Sequence, residues 1–185
     1  VALTKSFREE YRESLTPIQR RVWFVSALGV FLDGYDLFII AVALPLIHLQ
    51  FGVSNWVEGL VGSSAVLGAI AGAILLGRLS DQLGRRLLFI VDLVIFGVSA
   101  VLCGFAWSVA SLIIFRFLVG VAVGADYPIA AAYLAEFMPT RVRGRMLVAA
   151  FTFQAFGMLA GAAVGIIILL VHPATAAWRW MLVSG

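Results

Sequence analysis

Charge is what this sequence has least of. Only 12% of its 185 residues are Asp, Glu, Lys or Arg, about half the share carried by a soluble domain. Cysteine is almost absent. The single Cys103 excludes a disulfide within the chain, and no cysteine–histidine cluster suggests a metal site. Short segments of alternating polarity are missing too, which excludes a membrane β-barrel. Ser63 and Ser64 lack a companion base at their depth. Neither His48 nor His172 is positioned to activate a nucleophile, so an enzyme is not expected. The net charge of +3 reflects the loops and not a nucleic-acid-binding surface.

What the sequence has is apolar length. Hydrophobic residues make up 63% of it, and several runs exceed the roughly 18–20 residues needed to cross a hydrocarbon core. The expectation is an all-α, polytopic membrane protein. Spans are predicted at about 22–48, 57–77, 87–107, 111–138 and 146–171, with a sixth beginning at 178 and stopping at 185. The chain starts on Val1 and ends on Gly185 inside an apolar run, so both ends read as cuts. Residues 1–21 form a polar N-terminal segment, in which Lys5, Arg8, Glu9, Glu10, Arg12 and Glu13 suit a short surface helix with ion pairs three and four apart. Thr16 and Pro17 then suit an N-cap and first-turn proline.

Loop charge sets an expected orientation. Lys and Arg gather before span 1, in the 2–3 connection (Arg78, Arg85, Arg86) and in the 4–5 connection (Arg141, Arg143, Arg145). The 1–2 and 3–4 connections have none, and the 5–6 connection has only Arg179. The positive-inside rule therefore puts the N-terminus in the cytoplasm, in a cell (plasma or inner) membrane. Trp23, Trp107, Trp178 and Trp180 fall at span ends, where interfacial tryptophans are expected. Glycines four apart (Gly68 and Gly72, Gly120 and Gly124, Gly157 with Gly161 and Gly165) let helix backbones approach closely, either as static packing or as seams along which helices slide. Gly34-Tyr35-Asp36 in span 1 and Gly124-Ala125-Asp126-Tyr127 in span 4 hint at an inverted three-plus-three repeat.

The few charges inside the spans carry the functional argument. One charge near mid-bilayer costs roughly 2.5–3.5 kcal/mol on insertion scales, so each needs a partner or a watery cavity. Counting about 1.5 Å per residue brings Asp33 and Asp126 to similar depth, with Asp36 one turn further out and Arg116 within reach of it. Low dielectric favours a neutral carboxyl and a nearby guanidinium favours a charged one, so a group alternating between these environments takes up and releases a proton. Asp33, Asp36 and Asp126 are therefore proton-coupling candidates, with Arg116 as modulator. A static ion pair that fixes helix register is the other reading. Asp92, two turns into span 3, is expected to pair with an arginine on the cytoplasmic side.

Two further constellations follow. Pro128 removes a backbone hydrogen bond directly after Asp126. Beside it Tyr127 can donate, and Gln154 can donate and accept, which suits an oxygen-rich solute. Gln154 can equally serve only to bond a neighbouring helix. Between spans 2 and 3, Gly77, Arg78, Asp81, Gly84, Arg85 and Arg86 suit a tight reversal with Asp81 capping span 3. Glu136, Arg141 and Arg143 form a matching cluster after span 4. Both clusters are gating candidates, or charge that sets topology alone.

Residues 77–86 resemble the G-x-x-x-D-x-x-G-R-[RK] signature of the major facilitator superfamily. Arg116, Gly120, Gly124, Pro128, Glu136, Pro139, Arg143 and Gly144 are similar to the helix-4 pattern of its sugar-porter side, and Trp178-Arg179-Trp180 looks like its opening of helix 6. The resemblance implies the N-terminal six-helix bundle of that fold, working by alternating access with substrate bound between two such halves. The stretches at 33–38, 124–128 and 154–157 look most like phosphate:proton symporters. That implies Asp33, Asp36 and Asp126 in proton movement and Tyr127 and Gln154 in substrate binding. The sugar-porter likeness adds an Asp36–Arg116 pair as coupling element. Organic-acid symporters share the Asp-Gly-aromatic-Asp opening, so sugar and organic acid stay open beside phosphate. The expected partners are the lipid bilayer, a small solute, and a second six-helix half or a second copy of the chain. The coupling ion is the proton, with no other cofactor. A non-transporting receptor or half-size assembly subunit of the same fold is the alternative from another class.

Overall fold

The computed structural model describes residues 15–172 and 174–185. The expected surface helix within residues 1–14, and the Asp81 side chain, lie outside the described residues. Those described form six helices: α1 Pro17–Phe51, α2 Asn55–Leu83, α3 Arg85–Gly104, α4 Val109–Phe137, α5 Arg143–Val171 and α6 Ala177–Ser184. Five of them are long and apolar enough to cross a membrane. Thr16 caps α1 through a reciprocal box with Gln19, and Pro17 opens the first turn, because a fixed φ and a missing N–H cost nothing at that position. Ser108 and Ser111 cap α4 in the same way.

The reversal expected over residues 77–86 contracts to one residue. Helix α2 runs through Gly77 to Leu83, and Gly84 alone, at φ +90°, separates it from α3. A backbone in that region is open to glycine and strained for other residues. Pro128 does not break its helix either, since α4 continues to Phe137.

Two close seams build the bundle. In the first, a Cβ on Gly120 or Gly124 of α4 would strike the backbone of Ala65 or Ala69 on α2, and a Cβ on Gly68 or Gly72 of α2 would strike Phe117 or Val121 on α4. In the second, Gly34 of α1 meets Gln154 of α5, while Gly157 and Gly161 of α5 meet Phe31 and Tyr35 of α1. Backbone-to-backbone contact of this kind maximises dispersion where lipid offers no hydrophobic drive. Exchanging α1 with α4, α2 with α5 and α3 with α6 converts one seam into the other. It likewise converts the α3–α4 contact into the α1–α6 contact, the pairing expected of a three-plus-three repeat.

Buried apolar side chains form separate clusters along the bundle. One joins Ile39, Ile47, Phe96, Leu112, Trp178 and Met181 toward the His48 end. Two others, Val22, Ala27, Leu134 and Ala150 on one side and Leu88, Phe89 and Ile129 on the other, lie toward the Gly84 end. Trp178 departs from the interfacial placement expected of it. It is fully buried, and its Nε1 donates to Gln50 Oε1 at 2.6 Å. Trp178 opens the short α6, which packs against α1 and α3 and so carries the ring into the bundle. Trp107 and Trp180 are exposed as expected, and so is Trp56.

Candidate functional site

A polar layer separates the apolar clusters. On α1, Asp33 falls between Ala27 of one cluster and Tyr35 of another; on α3, Asp92 falls between Phe89 and Phe96; on α4, Asp126 falls between Val123 and Ile129. Three helices thus bring an acid to one level of the bundle. Asp33, Asp36, Asp92, Arg116 and Asp126 are all between 1% and 3% exposed. None of the four proton-coupling candidates faces outward.

The structure divides these charges into two groups. Arg116 reaches across from α4 to α1, and its Nη1 donates to Asp36 Oδ1 at 2.7 Å. Cys103 of α3 is buried within electrostatic reach of the pair. Asp33 and Asp126 make no hydrogen bond to Arg116. Asp33 lies instead within electrostatic reach of Asp126, Asp92 and Asp36. Asp33 Oδ2, Asp92 Oδ1 and both carboxylate oxygens of Asp126 are buried without a hydrogen-bond partner. The arginine expected beside Asp92 is not found among the described residues. Asp92 points into the bundle and its electrostatic neighbours are Asp126 and Asp33. Sequence reasoning missed Asp92 as a member of this layer. The signal that could have found it is its depth, two turns inside span 3.

Tyr127 follows Asp126 on α4 and is half-buried. Its hydroxyl accepts a hydrogen bond from Gln154 Nε2, and its ring stacks on Phe151 with centroids 5.8 Å apart. Gln154 is fixed by the seam described above, where its backbone touches Gly34. The hydrogen-bonding pair is thus attached at one end to the helix of Asp126 and at the other to the backbone between Asp33 and Asp36.

The gating candidates gather at the Gly84 end. Arg85 Nη1 lies 2.7 Å from Glu136 Oε1 and ties the start of α3 to the end of α4. A cavity of about 630 Å³ opens beside them, lined by Ser80, Arg86, Tyr133 and Phe137. Gly77 sits inside α2 against the Pro128 ring. Arg78, Arg141 and Arg143 are on the same end of the bundle, with the Nε of Arg143 buried and unpaired. At the opposite end His48 Nδ1 meets Glu58 Oε2 at 2.9 Å, joining α1 to α2.

The model of the family described as "Sugar (and other) transporter" matches residues 22–185. The chain belongs to that family. It is 36% identical over 171 residues to the "Putative metabolite transport protein YaaU" of Escherichia coli, covering 90% of this chain and 37% of that protein. It is 38% identical over 156 residues to the "Probable inorganic phosphate transporter 1-10" of rice, Oryza sativa subsp. japonica, covering 76% of this chain and 28% of that one. The chain therefore spans well under half the length of these relatives. Among solved structures it matches the proton:xylose symporter XylE, of the major facilitator superfamily, at 26% identity. The TM-score is 0.84, with 90% of this chain and 41% of XylE covered. The fold is the N-terminal helical half of that superfamily, and family membership makes this a multi-pass membrane protein.

Proposed function

We propose that this chain is the N-terminal bundle of a proton-coupled symporter for a small oxygen-rich anion, with inorganic phosphate the foremost candidate. The observation that carries the reading is the split polar layer. One buried acid, Asp36, is neutralised by Arg116, while Asp33 and Asp126 are buried without a basic partner. Unpaired carboxylates in such a place are costly as anions, and taking up a proton removes that cost. Proton uptake at Asp33 and Asp126, with Asp36–Arg116 as the charge-paired element, then links proton occupancy to helix arrangement. Tyr127 and Gln154 supply a hydroxyl and an amide to the solute at the same depth. In this cycle the Arg85–Glu136 pair, with Gly77, Arg78, Asp81, Gly84, Arg86, Arg141 and Arg143 around it, holds the cytoplasmic end closed against a second six-helix half, or a second copy of this chain. The N-terminus faces the cytoplasm and the membrane is the plasma or inner membrane.

The solute is tested by uptake into vesicles holding the protein at its full natural length, under an imposed proton gradient. Labelled inorganic phosphate is expected to accumulate, and Asp36→Asn and Asp126→Asn each to abolish accumulation while leaving binding measurable. Unchanged uptake in both variants would discard the coupling role. Accumulation of D-xylose but not phosphate would favour the second reading, a sugar symporter, which the likeness to a xylose symporter supports. Binding without flux of either would favour a receptor.

A further inference from the structure

Gly29 of α1 lies against the Asp126 carboxylate of α4. A Cβ built on Gly29 would lie 2.7 Å from Asp126 Oδ2, 3.2 Å from Oδ1 and 3.3 Å from Cγ. The carboxylate can occupy this seat only because residue 29 has no side chain. Neither oxygen of Asp126 has a hydrogen-bond partner, and its carboxylate packs against α1 at Gly29. Asp33 is one helical turn along the same face of α1, at the i+4 spacing that makes neighbours on a helix.

The titratable groups in electrostatic reach of Asp126 are Asp33 on α1, Asp92 on α3 and Tyr127 beside it on α4. The facing stretches of α2 are the small-residue seam, and α5 contributes the uncharged Gln154 through Tyr127. Arg116 is engaged with Asp36. Gly59 and Gly97, by contrast, have open space where a Cβ would go.

We propose that Gly29 is a positioning residue of the proton-coupling layer: its bare Cα seats the Asp126 carboxylate against α1, one turn from Asp33, and so sets how strongly each acid affects protonation of the other. The proposal rests on the proton-coupling reading for its functional meaning, and its test is independent of transport. The full-length protein in lipid vesicles is treated with dicyclohexylcarbodiimide, an apolar reagent that reacts with protonated carboxyl groups. Labelling of Asp126 is then quantified by mass spectrometry across a pH series.

Gly29→Ala should move the midpoint of Asp126 labelling by about half a pH unit or more, because it changes the distance between two acids. Gly97→Ala should leave the midpoint where it is. An identical profile in Gly29→Ala and the parent, or no pH-dependent labelling of Asp126 in the parent, would overturn the proposal. Should Gly29→Ala fail to fold, the double variant Gly29→Ala/Asp126→Ala decides. Removing the carboxylate vacates the space the new methyl needs, so recovery of folded protein supports the seat and continued failure overturns it. Proton-driven uptake unchanged in Asp126→Asn would defeat the coupling reading alone, since a labelling shift in Gly29→Ala would still stand.

Discussion

Arg116 and Asp36 meet through one hydrogen bond of 2.7 Å, from Nη1 to Oδ1, although both are almost wholly buried. Arg116 Nε and Nη2 and Asp36 Oδ2 are buried without a partner. A pair satisfied this incompletely is a poor static staple. Its desolvation is paid in full while much of its hydrogen-bonding capacity goes unused.

Removing either partner strands the other as an uncompensated buried charge. Asp36→Ala or Arg116→Ala should each lower stability by about 3–5 kcal/mol, and the double variant Asp36→Asn/Arg116→Gln by less than either. Cys103 is a buried free thiol, so a thiol-reactive fluorophore reads unfolding directly.

The two glycine seams differ from the glycines in open space. Gly124→Ala sets a methyl against the Ala69 backbone, and Gly157→Ala sets one against Phe31. Neither helix can yield locally, so each change should cost about 1–3 kcal/mol or more and reduce folded yield. Gly59→Ala, with nothing within 4 Å, should be neutral or slightly stabilising. Yield and melting temperature in detergent separate the two classes.

Trp178 of α6 fills the core between its own helix and the rest of the bundle and bonds Gln50. Trp178→Ala should cost about 3–5 kcal/mol. Trp178→Phe should cost less, because Gln50 is exposed and loses at most the net value of one hydrogen bond, about 0.5–1.5 kcal/mol. If both cost the same in thermal unfolding, the hydrogen bond and not the packing carries the effect.

Tyr127→Phe keeps the ring that stacks on Phe151 and removes the hydroxyl that Gln154 bonds. A lost hydrogen bond of about 0.5–1.5 kcal/mol should raise the KM for phosphate roughly 2- to 10-fold. Melting temperature should change little. An unaltered KM would remove Tyr127 from the solute site.

Glu136 is more than half exposed, with 54% of its side chain accessible. Glu136→Gln should therefore change stability by less than about 1 kcal/mol. Its effect should fall on the balance between inward- and outward-facing states, read by the accessibility of a cysteine introduced at the Gly84 end. A large stability loss with no change in accessibility would argue against gating.

Several features were legible because they depend on local rules. Thr16 and Pro17 start a helix for reasons contained in two residues, and the glycines four apart declare close packing whatever their partner. The length of the apolar runs foretold the membrane helices. The motif at 77–86 and the residues of span 4 pointed to the superfamily that the comparisons then showed. Other expectations were drawn too coarsely. The reversal at 77–86 proved to need only Gly84. Trp178 was read as interfacial because it opens an apolar run, and the sequence does not show that its own helix packs on α1 and α3.

By itself, then, the sequence determined where the helices of the described residues run, that five of them are apolar enough for lipid, and which ionisable residues lie deep within them. Those properties follow from covalent order and solvent preference. Only the tertiary structure decided the pairings: that Arg116 takes Asp36 alone, that Asp92 turns toward Asp126, and that Gly29 makes room for its carboxylate. Helical rise gives depth, but depth leaves rotation and neighbour undefined. Those are set by which glycine faces lock together across α1–α5 and α2–α4.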